Sequence, residues 1–195
     1  MMIESYKLSP GTLVDWQLLE LGPLIIDGYR FEHVNPATIN LALGNLVVLE
    51  AGEIIDDPGR YKNYSRRHLS DGLVELDIRE ATSDRPLYVS PGCWLLSETR
   101  EYLKMPQTCQ AEIMLRSSAA RRGWNHANAC YIDPGFTGRP TLELINHRHH
   151  RSLPLYPGIV LVQLRIDLLA NTPNHPYSGR YDGDESVNIC QDDSI

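Results

Sequence analysis

Between Asn35 and Leu168 the chain is cut into short apolar stretches by turn residues, roughly every eight to twelve positions. Punctuation that frequent leaves no room for long helices. NPATINLALGNLVVLE alternates around Ile39, Leu41 and Leu43, then runs apolar from Leu46 to Leu49. Gly44-Asn45 within it reads as a turn between two strands. LVELDIR (73–79) alternates as a strand, and residues 87–103 give a strand, a Pro-Gly turn and a second strand. Further strands are expected at 110–115, 128–132, 140–146, 153–156 and 159–168. This spacing predicts an all-β sandwich or barrel. Helical periodicity is confined to LVDWQLLEL (13–21), with Asp15 near its start and Gly22-Pro23 as its stop. PLIIDGY after it reads as a short strand or turn, and residues 51–72 as a polar surface excursion. Residues 171–195 lack periodicity and read as a flexible C-terminal arm on a single domain spanning 1–195.

A length of 195 residues is enough to bury a substantial core. The formal charge of −7 argues against nonspecific nucleic-acid binding, which needs a basic surface. Cys93, Cys109, Cys130 and Cys190 form no C-x-x-C pair. No apolar leader core lies within Met1–Gly11, and no apolar run is long enough to span a bilayer. A cytoplasmic protein with free thiols and no membrane partner is the expectation.

The chemistry-bearing residues crowd into RSSAARRGWNHANACYIDPGFTGRPTLELIN (116–146). If SAAR is helical, Ser117 and Arg121 share a face, beside Arg116 and Ser118. Hydroxyls, guanidiniums and helix-start N–H groups together suit an anion; a plain serine helix cap is the competing reading. Asp133-Pro134-Gly135 reads as a tight turn that fixes the aspartate, or as an Asx turn without chemistry. In TLELI, Leu142 and Leu144 face one side of a strand and Glu143 the other. There Glu143 is either solvated or directed into a cleft, where desolvation would make it a usable base. His147-Arg148-His149-His150 has contiguous spacing that suits a hairpin loop better than a metal site. The H-x-E and P-C-x-x-C motifs of zinc deaminases are absent.

Five blocks in order, spanning about 35–184, resemble the dCTP deaminase family, relatives of dUTPase. NPATINLALGN is similar to its Q-P-A-S-x-D-x-R-L-G block, and SPGCWLLSETREYLKMP to P-G-x-F-x-L-x-x-T-x-E. RSSAAR resembles R-S-S-L-A-R; YIDPGFTGRPTLEL resembles I-D-P-G-F-x-G-x-x-T-L-E-L; LPLYPGIVLVQL resembles L-x-P-G-M-x-I-x-Q-L. The resemblance implies a distorted jelly-roll, dUTPase-like β-barrel with a few short helices. It also implies a homotrimer with sites between subunits. Glu143 then matches the base that activates water for attack on C4 of cytosine. Ser117 and Arg121 match residues that organise the water and the ring, and Ala129 a backbone position lining the base pocket. Arg116, Ser118 and Asp133 match triphosphate and sugar contacts, Thr141 and Leu142 the nucleotide-contacting strand, and Tyr177 a phosphate contact in the tail. Mg²⁺ would ride on the triphosphate, with no zinc.

The favoured activity is deamination of dCTP to dUTP and ammonia. Alternatives are a bifunctional dUMP-forming enzyme with Asp133 activating water at the α-phosphate, a diphosphatase, a deaminase of a modified cytosine nucleotide, and a non-catalytic trimeric regulator. Departures sit at the ends. Asn40 and Ala42 replace the usual Asp and Arg. In the tail PYSGRYDGDE, Arg180 stands for a Lys and Asp184 for a Gln.

Overall fold

The computed structural model describes residues 9–56, 58–126 and 131–190. Its elements run β1 (Gly11–Thr12), α1 (Asp15–Ile25), β2 (Ile26–Asp27), β3 (Val34–Asn35), β4 (Thr38–Glu50), α2 (Ala51–Asp56), α3 (Pro58–Tyr61), β5 (Ser65–His68), β6 (Leu73–Asp77) and β7 (Leu87–Val89). The second half runs β8 (Trp94–Thr99), β9 (Tyr102–Lys104), β10 (Cys109–Leu115), α4 (Ser117–Arg122), β11 (Trp124–His126), β12 (Tyr131–Ile132), β13 (Thr137–Gly138), β14 (Thr141–Asn146), β15 (Leu153–Leu155) and β16 (Val160–Leu168). Strands dominate, as the alternation predicts, and every described pairing between named strands is antiparallel.

The main sheet has the order β11-β14-β8-β4-β16-β10-β12. β11 and β12 lie at opposite ends of that order, yet only residues 127–130 separate them in the chain. The sheet therefore curls round towards closure, which hides its edges. Leu41, Leu43, Val47, Leu49, Leu76, Leu95, Leu142, Leu144 and Leu164 fill the interior, each 1 % exposed or less. Burying each such side chain is worth about 1.5–3 kcal/mol.

Three local expectations are corrected. Gly44-Asn45 is not a turn between two strands: β4 runs unbroken through it, and its register shifts between Leu43 and Val47. The first half of β4 pairs with β16, the second with β6 and β8. The glycine marks a bulge that bends one strand between partners. Helix α1 does not stop at Gly22-Pro23 but contains both. Gly22 is needed there because the Tyr29 ring lies where a Cβ would be. The His147–His150 segment is not a hairpin, since β14 pairs with β8 and β11 while β15 pairs with β7. It turns a corner between two sheets, organised by the buried Asn146. That side chain donates to the carbonyls of Val89 and Arg151 and accepts from the Arg148 N–H.

Candidate active site

Strand β14 alternates cleanly: Leu142, Leu144 and Asn146 are buried, while Thr141, Glu143 and Ile145 are half-buried on the other face. Register with β8 places Glu98 opposite Thr141, Leu96 opposite Glu143 and Trp94 opposite Ile145. Directly opposed residues share a sheet face. Glu143 therefore lies on an outer face that carries a second apolar cluster of Val48, Leu96 and Val187, with Trp94 and Ile189 packed against it.

Above that face is a cavity of about 470 Å³. One wall is β14 and β8, with Thr141, Glu143, Trp94 and Leu96. A second is the Ile132–Phe136 turn, which contributes Asp133. Gly135 closes this turn at φ +92°, and the Phe136 N–H donates to the Asp133 carbonyl at 3.1 Å. A third wall is the C-terminal segment, with Tyr177, Tyr181, Asp184, Asn188 and Ile189. A mostly apolar chamber with a few convergent polar groups is what a nucleotide base and sugar require.

The C-terminal segment tracks the rim residue by residue. The Tyr177 N–H donates to the Pro134 carbonyl at 2.9 Å, and the Tyr177 and Phe136 rings meet at 5.8 Å between centroids. The hydroxyl of Tyr177 accepts from the Tyr181 N–H at 3.3 Å. Asp182 accepts from the N–H and the hydroxyl of Thr137, at 3.0 and 2.7 Å. The Arg139 N–H donates to the Asp184 carbonyl at 2.8 Å. Asn188 N–H reaches the Thr141 hydroxyl at 3.4 Å.

The structure thus brings together Glu143, Asp133, Thr141 and Tyr177. Leu142 belongs to the same strand, but its side chain is 0 % exposed and points into the core. Arg116, Ser117, Ser118, Arg121 and Arg180 do not line this cavity. Arg121, Ser117 and Ser118 sit exposed on α4, and Arg180 is exposed in the tail. The serines do not cap the helix: Arg116 is the N-cap residue and makes no side-chain cap bond. Ala129 lies outside the described residues. Among the described residues no cluster of His, Cys, Asp and Glu could hold a metal ion, and no helix is long and apolar enough to cross a membrane.

Residues 15–169 match the family described as dCTP deaminase-like. The chain belongs to that family. A relative from Aquifex aeolicus, named dCTP deaminase, dUMP-forming, is 33% identical over 171 residues, covering 88% of this chain and 87% of its own. One of the same name from a Sulfurihydrogenibium species is 34% identical over 172 residues, covering 85% of this chain and 84% of its own. In fold, the chain is similar to the crystal structure of 2'-deoxycytidine 5'-triphosphate deaminase from Agrobacterium tumefaciens. The TM-score is 0.61 at 20% identity, with 83% of this chain and 50% of that longer one covered.

Two residues, one in the cavity wall and one beside it, escape sequence reasoning in this family. Trp94 forms the apolar floor beside Glu143, and only its parity with Leu96 on β8 could have signalled it. Glu98, on the same parity, is 5% exposed. It accepts from the N–H groups of Asn45 at 3.0 Å, Leu46 at 3.1 Å and Val187 at 2.8 Å. Burial pushes its carboxyl above the ordinary range, opposed by those three N–H donors and by the nearby Arg139 charge.

Proposed function

We propose that the protein removes the amino group of dCTP by metal-independent attack of water and also hydrolyses the triphosphate, giving dUMP, ammonia and pyrophosphate. The observation that carries this reading is that Glu143 and Asp133 stand on different walls of one cavity, which Asp71 and Asp184 also line. Two hydrolytic steps need two water-activating positions. The dUMP-forming names of the relatives favour this outcome over dUTP, the product favoured from sequence.

In the first step Glu143 takes a proton from water as its oxygen bonds to C4 of the cytosine ring. It passes that proton to N3, then carries the proton of the new C4 hydroxyl to the amino group, so that the C4 carbonyl forms, the C4–N bond breaks and ammonia leaves. A positioned carboxylate of this kind contributes about 10²–10⁴-fold. Asp133 serves the second step, accepting a proton from water that attacks the α-phosphorus, with pyrophosphate leaving. Mg²⁺ enters as part of the substrate, on its phosphate oxygens. Thr141 and Tyr177 line the path along the nucleotide.

Arg116, Ser117, Ser118 and Arg121 complete the site from a second copy of the chain, in a homotrimer with sites at subunit interfaces. The exposure of Ser117, Ser118 and Arg121 on a helix that does not line the Glu143 cavity supports that division. A closed symmetric assembly would present α4 of each copy to its neighbour.

The deciding experiment incubates purified protein with dCTP and Mg²⁺ and separates the products by anion exchange, beside Glu143→Gln and Asp133→Asn. The expected products are dUMP and pyrophosphate from wild type, neither from Glu143→Gln, and dUTP from Asp133→Asn. Accumulation of dUTP by wild type would remove the second step, and intact dCTP would overturn the reading.

A further inference from the structure

We propose that Glu98 is a positioning residue that latches the C-terminal segment over the Glu143 cavity. The proposal rests on the reading of that cavity as the nucleotide site. Residues 169–190 contain no helix or strand, so their placement depends on a few point contacts. Most of those contacts follow the Pro134–Thr141 rim. The contact to Glu98 differs, because it ties the segment to a buried carboxylate on the cavity face of the sheet, at the bulge of β4.

The carboxylate divides its two oxygens between two jobs. Oε1 accepts the N–H groups of Asn45 and Leu46, at 3.0 and 3.1 Å, where the bulge takes β4 out of register with β8. Oε2 accepts the Val187 N–H at 2.8 Å, and Val187 is 5% exposed against Val48 and Leu96. Gly44 makes this approach possible, since a Cβ there would stand 2.5 Å from Oε1. Thr141, directly opposite Glu98 in the ladder, receives the next N–H of the segment, that of Asn188. One cross-strand pair therefore holds two consecutive residues of the tail. From this anchor the segment carries Ile189 into the cavity wall on one side and Asp184 on the other. Glu98 touches no nucleotide position itself; it acts through where it holds those side chains.

The chemistry offers a way to separate the latch from the bulge. Glu98→Gln keeps a carbonyl for Asn45 and Leu46 and turns an NH₂ towards the Val187 N–H, so only the latch is lost. Val187→Pro removes the same bond from the other side and leaves the barrel untouched. The full-length protein and both variants are compared by limited proteolysis without nucleotide, and by steady-state kinetics on dCTP with Mg²⁺. Both variants are expected to be cleaved within 177–190 much faster than wild type. Both should raise KM about tenfold or more with kcat nearly kept, as expected when a charge-assisted bond that organises binding is lost. The double variant should be no worse than either single one. Cleavage and KM both at wild-type values in either variant would overturn the latch. Faster cleavage with unchanged KM would overturn the positioning role, leaving a structural tie. If wild type does not turn over dCTP, the reading of the site falls, while proteolysis still decides the latch.

Discussion

Strand β14 and helix α4 are read in the sequence as one constellation within 116–146, but the fold treats them oppositely. β14 is paired on both sides, by β11 and β8, with a core face and a cavity face, so Glu143 is held by a scaffold that is complete within one chain. α4 is a short helix of six residues with its serines and Arg121 exposed. Of its side chains only Ala119 is buried. Residues near in sequence are thus sorted by the fold onto a cavity wall and onto an exposed helix. What the fold holds in a paired strand is the cavity carboxylate; what it leaves on the surface is a set of hydroxyls and guanidiniums.

The largest test of that contrast is Glu143→Gln. It should reduce deamination by about a hundredfold or more. Its thermal midpoint should stay at the wild-type value, because the side chain does not belong to the core. A substitution one position earlier should do the reverse. Leu142→Ala removes a fully buried side chain and should cost about 2–5 kcal/mol in denaturant unfolding. If Leu142→Ala is harmless, the two faces of β14 are wrongly assigned.

Mixing subunits sharpens the comparison. Glu143→Gln and Arg121→Ala proteins, each inactive alone, should regain about a quarter of wild-type activity after co-refolding, by random assembly of sites from two copies. No recovery would mean that α4 and β14 of one chain serve the same site.

The smallest effect concerns pH. Burial holds the Glu98 carboxyl above the ordinary range. A raised folded-state pKa gives a stabilising contribution that is full below about pH 4, the ordinary glutamate value, and is lost as pH rises through the folded value. Arg79, Arg100, Arg139 and Glu185 surround the same hollow as Glu98. Wild type should therefore lose thermal stability relative to Glu98→Gln as pH is raised from the acid side, measured as the difference in midpoint between the two proteins. A constant difference would show that Glu98 does not titrate there.

Much of the barrel was legible because half-buried strands write their alternation into the sequence: β6, β10, β14 and β16 fall close to where Leu73, Ala111, Leu142 and Leu164 set the period. The cavity face of β14 was legible for the same reason. Glycine caused two of the three misreadings, because one residue type answers several physical needs. Gly22 looks like a helix stop but makes room for Tyr29, and Gly44 looks like a turn but admits a carboxylate. The separation of α4 from the cavity was not legible, since spacing along a chain carries no information about which way a barrel curls. Nor was Glu98, whose importance lies in N–H groups from β4 and the tail, distant in sequence.

The bulge at Gly44 has a consequence for how this chain can change. Position 44 and position 98 are coupled: any side chain at 44 evicts the carboxylate, and once it is evicted two N–H groups of the bend and one of the tail lose their partner together. A substitution near the beginning of the barrel would thereby be felt first at the end of the chain, as a cavity with one wall adrift. In mutational terms Gly44 is part of the tail.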